Sequence, residues 1–430
     1  MKHAIIIAAV LSIAATAQTE TSSLRVEEVF SVETSEELEA SLTGGYPMPW
    51  LAEILEDKTI PEEDRYWLDC RVRAAIAIEF HTFFDRNGNS VAYDAEWIMP
   101  GENYWRESFT VNLPGCEYGT LPFNTRSDWR VDPGITVNSY GEHIGEFVHS
   151  GVASRLNTSR DGTISAGAFP TGNGYQPVLL YSDATYFISP ISMGFGMCGI
   201  SNSGNYVIVS SAGKTDWQTG EETPPQAILL NRNGEILWET ELEMTPVGNI
   251  SPVISPNDEV CVIPTQAESF DENGIIKLSL QAFDMNTGAE LWRVDNPSGL
   301  SVSFSPDGQL AFIPREDYES SAVITSTGEE IWSDSKHPFT ALVNEGIRYL
   351  TGSNRARVIS AVIMPPDSRY TEWYLALFNS NGQTLYLNSN NRNMNISPNG
   401  SVVITDNYNP RSEAVTTLPF SIARIPSGGE

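Results

Sequence analysis

Residues 280–294 read LQAFDMNTGAELWRV, and the fold turns on whether this phrase is a cofactor site or one unit of a repeating structure. It has three counterparts: ILLNRNGEILWET from 228, AVITSTGEEIWSD from 322 and LALFNSNGQTLYLN from 375. In each, Gly234, Gly288, Gly328 or Gly382 closes a hairpin. Three residues later stands Leu237, Leu291, Ile331 or Leu385, and four residues later Trp238, Trp292, Trp332 or Tyr386. Neighbouring strand residues point to opposite faces, so the spacing predicts a strand with an aliphatic side chain on one face and an aromatic on the other. Such a strand needs cover on both faces, and a sheet stacked between two similar sheets supplies it.

A second repeat alternates with the first: an aliphatic or aromatic residue, Ser, often Pro, a turn, then an alternating strand. It occurs as ISNSGNYVIVS at 200, ISPNDEVCVIP at 254, FSPDGQLAFIP at 304 and ISPNGSVVITD at 396, with looser copies LNTSRDGTISAG at 156 and LVNEGIRYLTG at 342. Pro presets φ for the turn, Asp or Asn bonds nearby backbone, and Gly accepts positive φ. Tyr206 and Ile208, Val260 and Val262, Leu310 and Phe312, Val402 and Ile404 then mark one strand face. Arg348 breaks the pattern in the copy at 342.

The hairpin glycines lie 54, 40 and 54 residues apart, a spacing that suits four-stranded blades of roughly 40–50 residues. Radial packing of blades into a β-propeller buries both faces and leaves only short edges. The expectation is a mainly β chain with a six-bladed β-propeller over 131–430, and a seventh blade if residues 100–130 contribute strands. The last copy is followed by one clear strand, in EAVTTLPFSI, so the final blade lacks an outer strand. GITVNSY at 134–140 is expected to supply it.

Residues 18–130 have a different texture and are expected to form a small α+β cap. A helix is signalled over 60–83: Thr59 and Glu62 have capping-box spacing, Pro61 lies in the first turn, and Glu62, Glu63 and Asp64 face the positive end of the dipole. Trp67, Cys70, Ala74, Ala77, Ile78 and His81 recur at steps of three or four and define an apolar face. A shorter helix is expected over 49–57.

AFDMNTGAELW, with Ala282, Asp284, Thr287, Gly288 and Trp292, resembles the repeat of pyrroloquinoline-quinone-type propellers. The Ser-Pro-Asp-Gly phrases are similar to those of TolB-like and WD-repeat propellers. The resemblance covers about residues 155–406. It implies a propeller, and catalytic members would add an adjacent Cys-Cys pair over the quinone and a Ca²⁺ site. This chain has no Cys-Cys pair, so the resemblance points to non-catalytic relatives, which include an envelope assembly lipoprotein, and no cofactor is expected.

The chain opens MKHAIIIAAVLSIAATAQT, with Lys2 and His3, an apolar run and the small-residue pattern Ala15-Thr16-Ala17. This predicts a leader over 1–17, export to the periplasm or beyond, and mature Gln18. Acidic residues outnumber basic ones 55 to 25, for a formal charge of −30. Such a field repels nucleic acid and anionic lipid, and no later stretch has membrane-spanning length. Of the cysteines, Cys70 and Cys116 are candidates for pairing in an oxidising compartment, whereas Cys198 and Cys261 sit in strand-like apolar runs and read as small hydrophobes.

Other chemistries find little support. There is no Gly-x-Ser-x-Gly elbow, and GKT at 213–215 lacks the Gly a phosphate loop requires and reads as a hairpin. In EHIGEFVH, His143 and His149 share a strand face while Glu146 points away, so an ordinary strand is favoured over a metal site. Asp85, Asn87, Asn89 and Glu96 have Ca²⁺-loop spacing, but Ser90 stands where the bend requires Gly; a plain turn is favoured, with Ca²⁺ the alternative.

The functional expectation is a monomeric scaffold that binds a protein, peptide or glycan through loops at one end of the ring. The longest insertions, 211–226, 265–277 and 363–373, each join the second and third strands of a blade and carry Trp217, Phe270 and Trp373 as candidate contacts. The alternative is a carboxylate- or metal-dependent hydrolase or lyase in the central channel.

Overall fold

The computed structural model describes residues 27–92 apart from 33 and 81, then 110–111, 119–121, 134–137, 140 and 142–147. It further describes 157–333 with short breaks at 172–173, 184, 216–219, 221, 249, 271–273, 275, 298 and 316–319. The remainder comprises 347–363 without 355–357, then 374–379, 384–388, 393–406 and 420–425. Among these residues, six four-stranded sheets and one five-stranded sheet follow one another along the chain. Sheets 1 to 6 span 110–147, 157–188, 196–241, 245–295, 303–333 and 347–388. Sheet 7 is built from 393–396, 402–406, 420–424 and the N-terminal strand Glu27–Val32. Antiparallel meanders of this kind, repeated side by side, make a mainly β chain of the β-propeller type.

Period-two alternation decides which neighbour each side chain meets. In sheet 3, Val207, Val209, Ile228 and Leu230 pack with Ile164, Ala166 and Leu179 of sheet 2. The intervening Ile208, Ala227 and Leu229 pack with Cys261, Ile263 and Phe283 of sheet 4. Val260, Val262 and Ala282 of sheet 4 turn instead to Ala311, Ile313 and Val323 of sheet 5. Each middle strand is therefore apolar on both faces and buried between two sheets.

The Ser of the second repeat proves to be its anchor. Ser159, Ser201, Ser255, Ser305, Ser353 and Ser397 are all fully buried at 0 % exposure. Each hydroxyl accepts a hydrogen bond from the backbone N–H five residues on, at 2.9–3.2 Å. A side chain thus replaces the backbone partner that the turn would otherwise leave unpaired. This geometry also corrects the copy at 342. The first strand of sheet 6 is Ile347–Gly352 and its turn follows at Ser353, so Arg348 stands in the first strand and not in the strand after the turn.

Two further expectations change. The strand that completes sheet 7 is Glu27–Val32, paired with Phe420–Arg424, and not 134–140. Gly134–Val137 instead pairs within sheet 1, with Gly119–Leu121 on one side and His143–Phe147 on the other. The boundary drawn at 130/131 falls inside that sheet. The physical reason is that an edge left open at the C-terminal end takes whichever strand the rest of the chain leaves unpaired, and the N-terminal strand has no other sheet.

The aliphatic residue three places after the hairpin glycine does not simply alternate with the aromatic. The register skips it in every copy: Leu229 faces Trp238 and Leu230 faces Ile236, Ala282 faces Trp292 and Phe283 faces Glu290. Sheets 5 and 6 repeat the slip at Ile331 and Leu385. These are β-bulges, which blunt an outer edge strand. Leu237 and Ile331 are accordingly 49 % and 46 % exposed, with no second sheet over them.

The N-terminal segment contributes α1 (Ser35–Ser41), α2 (Pro49–Glu56) and α3 (Glu62–Phe80). Leu38, Met48, Leu51, Trp67, Leu68, Val72 and Ile76 form one core with Val402 and Ile422 of sheet 7, so α3 is buried on more than the single expected face. No capping box forms, because the Thr59 backbone N–H and hydroxyl both donate to Asp57 Oδ1, at 2.8 and 2.7 Å. His81 and Cys116 lie outside the described residues, and Cys70 is fully buried in α3.

Candidate functional site

In an antiparallel meander the first–second and third–fourth turns share one end, and the second–third loops occupy the other. The loop end carries two projecting features on neighbouring sheets. In sheet 3, residues 212–225 contain a small ribbon in which Lys214–Thr215 pairs with Glu222–Thr223. In sheet 4, Val260–Phe270 and Ile276–Asp284 run 11 and 9 residues against 6 for Tyr206–Ser211 in sheet 3. The pairing continues to Phe270 opposite Ile276, so this hairpin extends beyond its neighbours. Trp217 and Trp373 lie outside the described residues.

At the foot of the ribbon Lys214 Nζ donates to Ser192 Oγ at 2.8 Å. Beside it Phe195 is 41 % exposed and meets Tyr175 edge-on, with centroids 5.2 Å apart. Phe195 and Tyr175 were not singled out from the sequence, since a lone aromatic beside glycine (GFG, 194–196) carries no periodic signal.

The turn end is knitted from sheet to sheet. Arg160 N–H donates to the Asn202 carbonyl, Ser203 Oγ to Asp258 Oδ2, Asp307 N–H to Asn354 Oδ1, and Asn354 N–H to the Pro398 carbonyl, at 2.5–3.0 Å. After sheet 7 the next member is the helix α3. Asp64 is fully buried there and accepts from Ser397 Oγ, Asn399 N–H, Ser401 N–H and Ser401 Oγ. The N-terminal segment therefore contacts the turn end of sheet 7, opposite to the second–third loops. It also reaches sheet 1: Arg73 stacks over Tyr46 and Tyr140 at 4.0 and 4.8 Å and pairs with Asp69 at 3.0 Å. Arg86 covers Tyr140 and pairs with Glu142.

One turn departs from its siblings. Where the others carry Gly204, Gly308 and Gly400 at φ near +70°, sheet 4 carries Asp258 at φ 59°. Its Oδ1 is buried without a hydrogen-bond partner among the described residues. Burial raises its carboxyl above the usual range, and the Ser203 hydrogen bond offsets this in part.

The sequence-derived chemical candidates resolve as follows. Asp85 Oδ1 accepts from the backbone of Asn87 and Asn89, and its Oδ2 from the Asn89 side chain, which makes a turn between the strands Thr82–Phe84 and Ser90–Ala92. Glu96 and His149 lie outside the described residues. Within GKT, Lys214–Thr215 forms one strand of the ribbon. Among the described residues no three His, Cys, Asp or Glu side chains converge as metal ligands, and no helix is long and apolar enough to cross a membrane. Cys198 and Cys261 are free and fully buried, and burial pushes both thiols up to about 12.

Sheets of this kind with these turns define a repeat protein of the pyrroloquinoline-quinone-like β-propeller type. Residues 202–334, just under a third of the chain, match a family described as outer membrane protein assembly factor BamB. A solved structure titled "Crystal structure of the eukaryotic initiation factor" aligns at 12 % identity and a TM-score of 0.47, covering 72 % of this chain and 73 % of its own. No curated protein matches the chain.

Proposed function

We propose that this chain is an exported, non-catalytic propeller scaffold that holds a partner of the cell envelope, a protein or peptide before a glycan, against its second–third loops. The observation that carries the reading is the pair of projections on neighbouring sheets, the 214–223 ribbon and the 260–284 hairpin. The exposed Phe195 at their base supplies an apolar contact of the kind partner surfaces use. The leader pattern over 1–17 supports export, and the description of the matched family as an outer membrane protein assembly factor supports a protein partner in the envelope.

Site-specific photo-crosslinking in intact cells tests it. A crosslinker at Trp217, Phe270 or Phe195 is expected to trap one common partner, and a crosslinker at the exposed Glu329 on the turn end to trap none. Equal trapping at both ends, or a cytoplasmic chain that retains Met1, would overturn the reading.

A further inference from the structure

A second site lies at the other end of the strands, where the helices meet sheet 7. A cavity of about 140 Å³ opens between α2, the connection from α2 to α3 and the closing strands. Its apolar lining is Val29, Ile54, Ile60, Val402, Ile422 and Ala423, and its charged lining is Glu53, Asp57 and Arg424. Ile54, Ile60, Val402 and Ile422 are buried at 6 % exposure or less, so the floor is fixed by the same core that seats the helices. The volume is close to the roughly 150 Å³ of an engineered apolar cavity that accommodates a benzene ring.

The charges decide the occupant. Arg424 pairs with Asp57 at 2.6 Å and also donates to Thr59. Thr59 in turn donates twice to Asp57, whose carboxyl is held below its usual range chiefly by these bonds. That lip is closed upon itself. Glu53 is left over: it is exposed at the rim, and its side-chain carboxylate makes no hydrogen bond or ion pair among the described residues. An apolar slot with one uncommitted carboxylate at its mouth complements an aliphatic chain ending in a cation, whose stem lies in the slot while its head stays at the rim. The acidic chain as a whole, at −30, draws cations and disfavours an anionic head.

We infer that this cavity binds a primary alkylammonium group, such as a lysine side chain or a free aliphatic amine. The inference does not depend on the loop-end reading, because the two sites lie at opposite ends of the strands. Saturation-transfer NMR on the full mature chain tests it, with n-butylammonium and uncharged n-butanol as probes. The ammonium is expected to bind and the alcohol to bind about fivefold more weakly, the scale of one rim ion pair. Glu53→Gln is expected to lower ammonium binding to the level of the alcohol. Ala423→Leu, which fills the slot, is expected to abolish both signals, with the Tm of each variant confirming that it is folded. A lysine placed in an extended nonapeptide distinguishes the sources: binding over tenfold tighter than n-butylammonium assigns a partner's lysine, and equal binding a free amine. Ammonium binding that survives both substitutions, or that 0.5 M NaCl removes entirely, overturns the site in favour of a diffuse acidic surface.

Discussion

The indole Nε1 of Trp238, on the outer strand of sheet 3, donates to the main-chain carbonyl oxygen of Met285 in sheet 4 at 2.8 Å. Trp292 repeats the relation one sheet on, donating to the Thr325 carbonyl at 2.7 Å. Each ring lies against the hairpin glycine of the next sheet: a Cβ on Gly288 would come within 2.8 Å of the Trp238 ring, and one on Gly328 within 2.7 Å of Trp292. Residues far apart in sequence thus share one joint, an aromatic from one sheet and a glycine from the next.

Removing only the polar half of that joint is expected to cost modestly. Trp292→Phe loses the hydrogen bond and part of the ring, about 1–2 kcal/mol. Gly288→Ala meets both the indole and a φ of +71° and is expected to cost about 2 kcal/mol. Urea midpoints at constant m-value measure both. An unchanged midpoint in either variant would remove the joint from the list of stabilising contacts.

Asp64→Ala is expected to be more severe. It strips the acceptor from Ser397, Asn399 and Ser401 in a buried turn, and orphaned buried donors cost about 1–3 kcal/mol each. A loss of about 3 kcal/mol or more, with hydrogen exchange rising first in 393–406, is the expected outcome. A loss under about 1 kcal/mol would mean that water replaces the carboxylate freely.

Asp258 governs a pH dependence of definite sign. Its folded pKa is raised, first by burial, so the folded state holds its proton more tightly than the unfolded one. Its contribution is therefore greatest below the ordinary carboxylate pKa and is lost as pH rises through the folded value. Asp258→Asn removes the buried charge and is expected to be the more stable protein at pH 7, the difference vanishing near pH 3. Parallel stability curves for the two proteins from pH 3 to 7 would refute this.

Cys198 and Cys261 are expected to resist alkylation at pH 8 until the chain unfolds, since thiols held up to about 12 carry almost no thiolate there. Above pH 9 the unfolded thiols ionise while the folded ones do not, so stability is expected to fall with rising pH. Mass spectrometry after iodoacetamide with and without urea reads the first effect directly. Rapid labelling of either residue in the native protein would contradict their full burial.

The propeller was legible because its turns are local. Ser255 and Val260, or Asp284 and Gly288, close their hydrogen bonds within five residues, so a short phrase carries the whole instruction, and period two then marks the strand faces. The bulges were not legible, because a skipped residue such as Leu237 is defined by its partner strand and not by its neighbours. Phe195 and the Glu53 cavity have no local signature for the same reason: their surroundings come from distant segments.

By itself the sequence determined the repeat, the hairpin glycines, the indoles after them and the β-propeller they build. Only the tertiary structure decided that Glu27–Val32 completes sheet 7 and that Asp64 takes the next place after its turn. Turn chemistry is settled by atoms a few bonds apart. The partner of an open edge is settled by competition among all the strands of the folded chain, and that competition has no local signature.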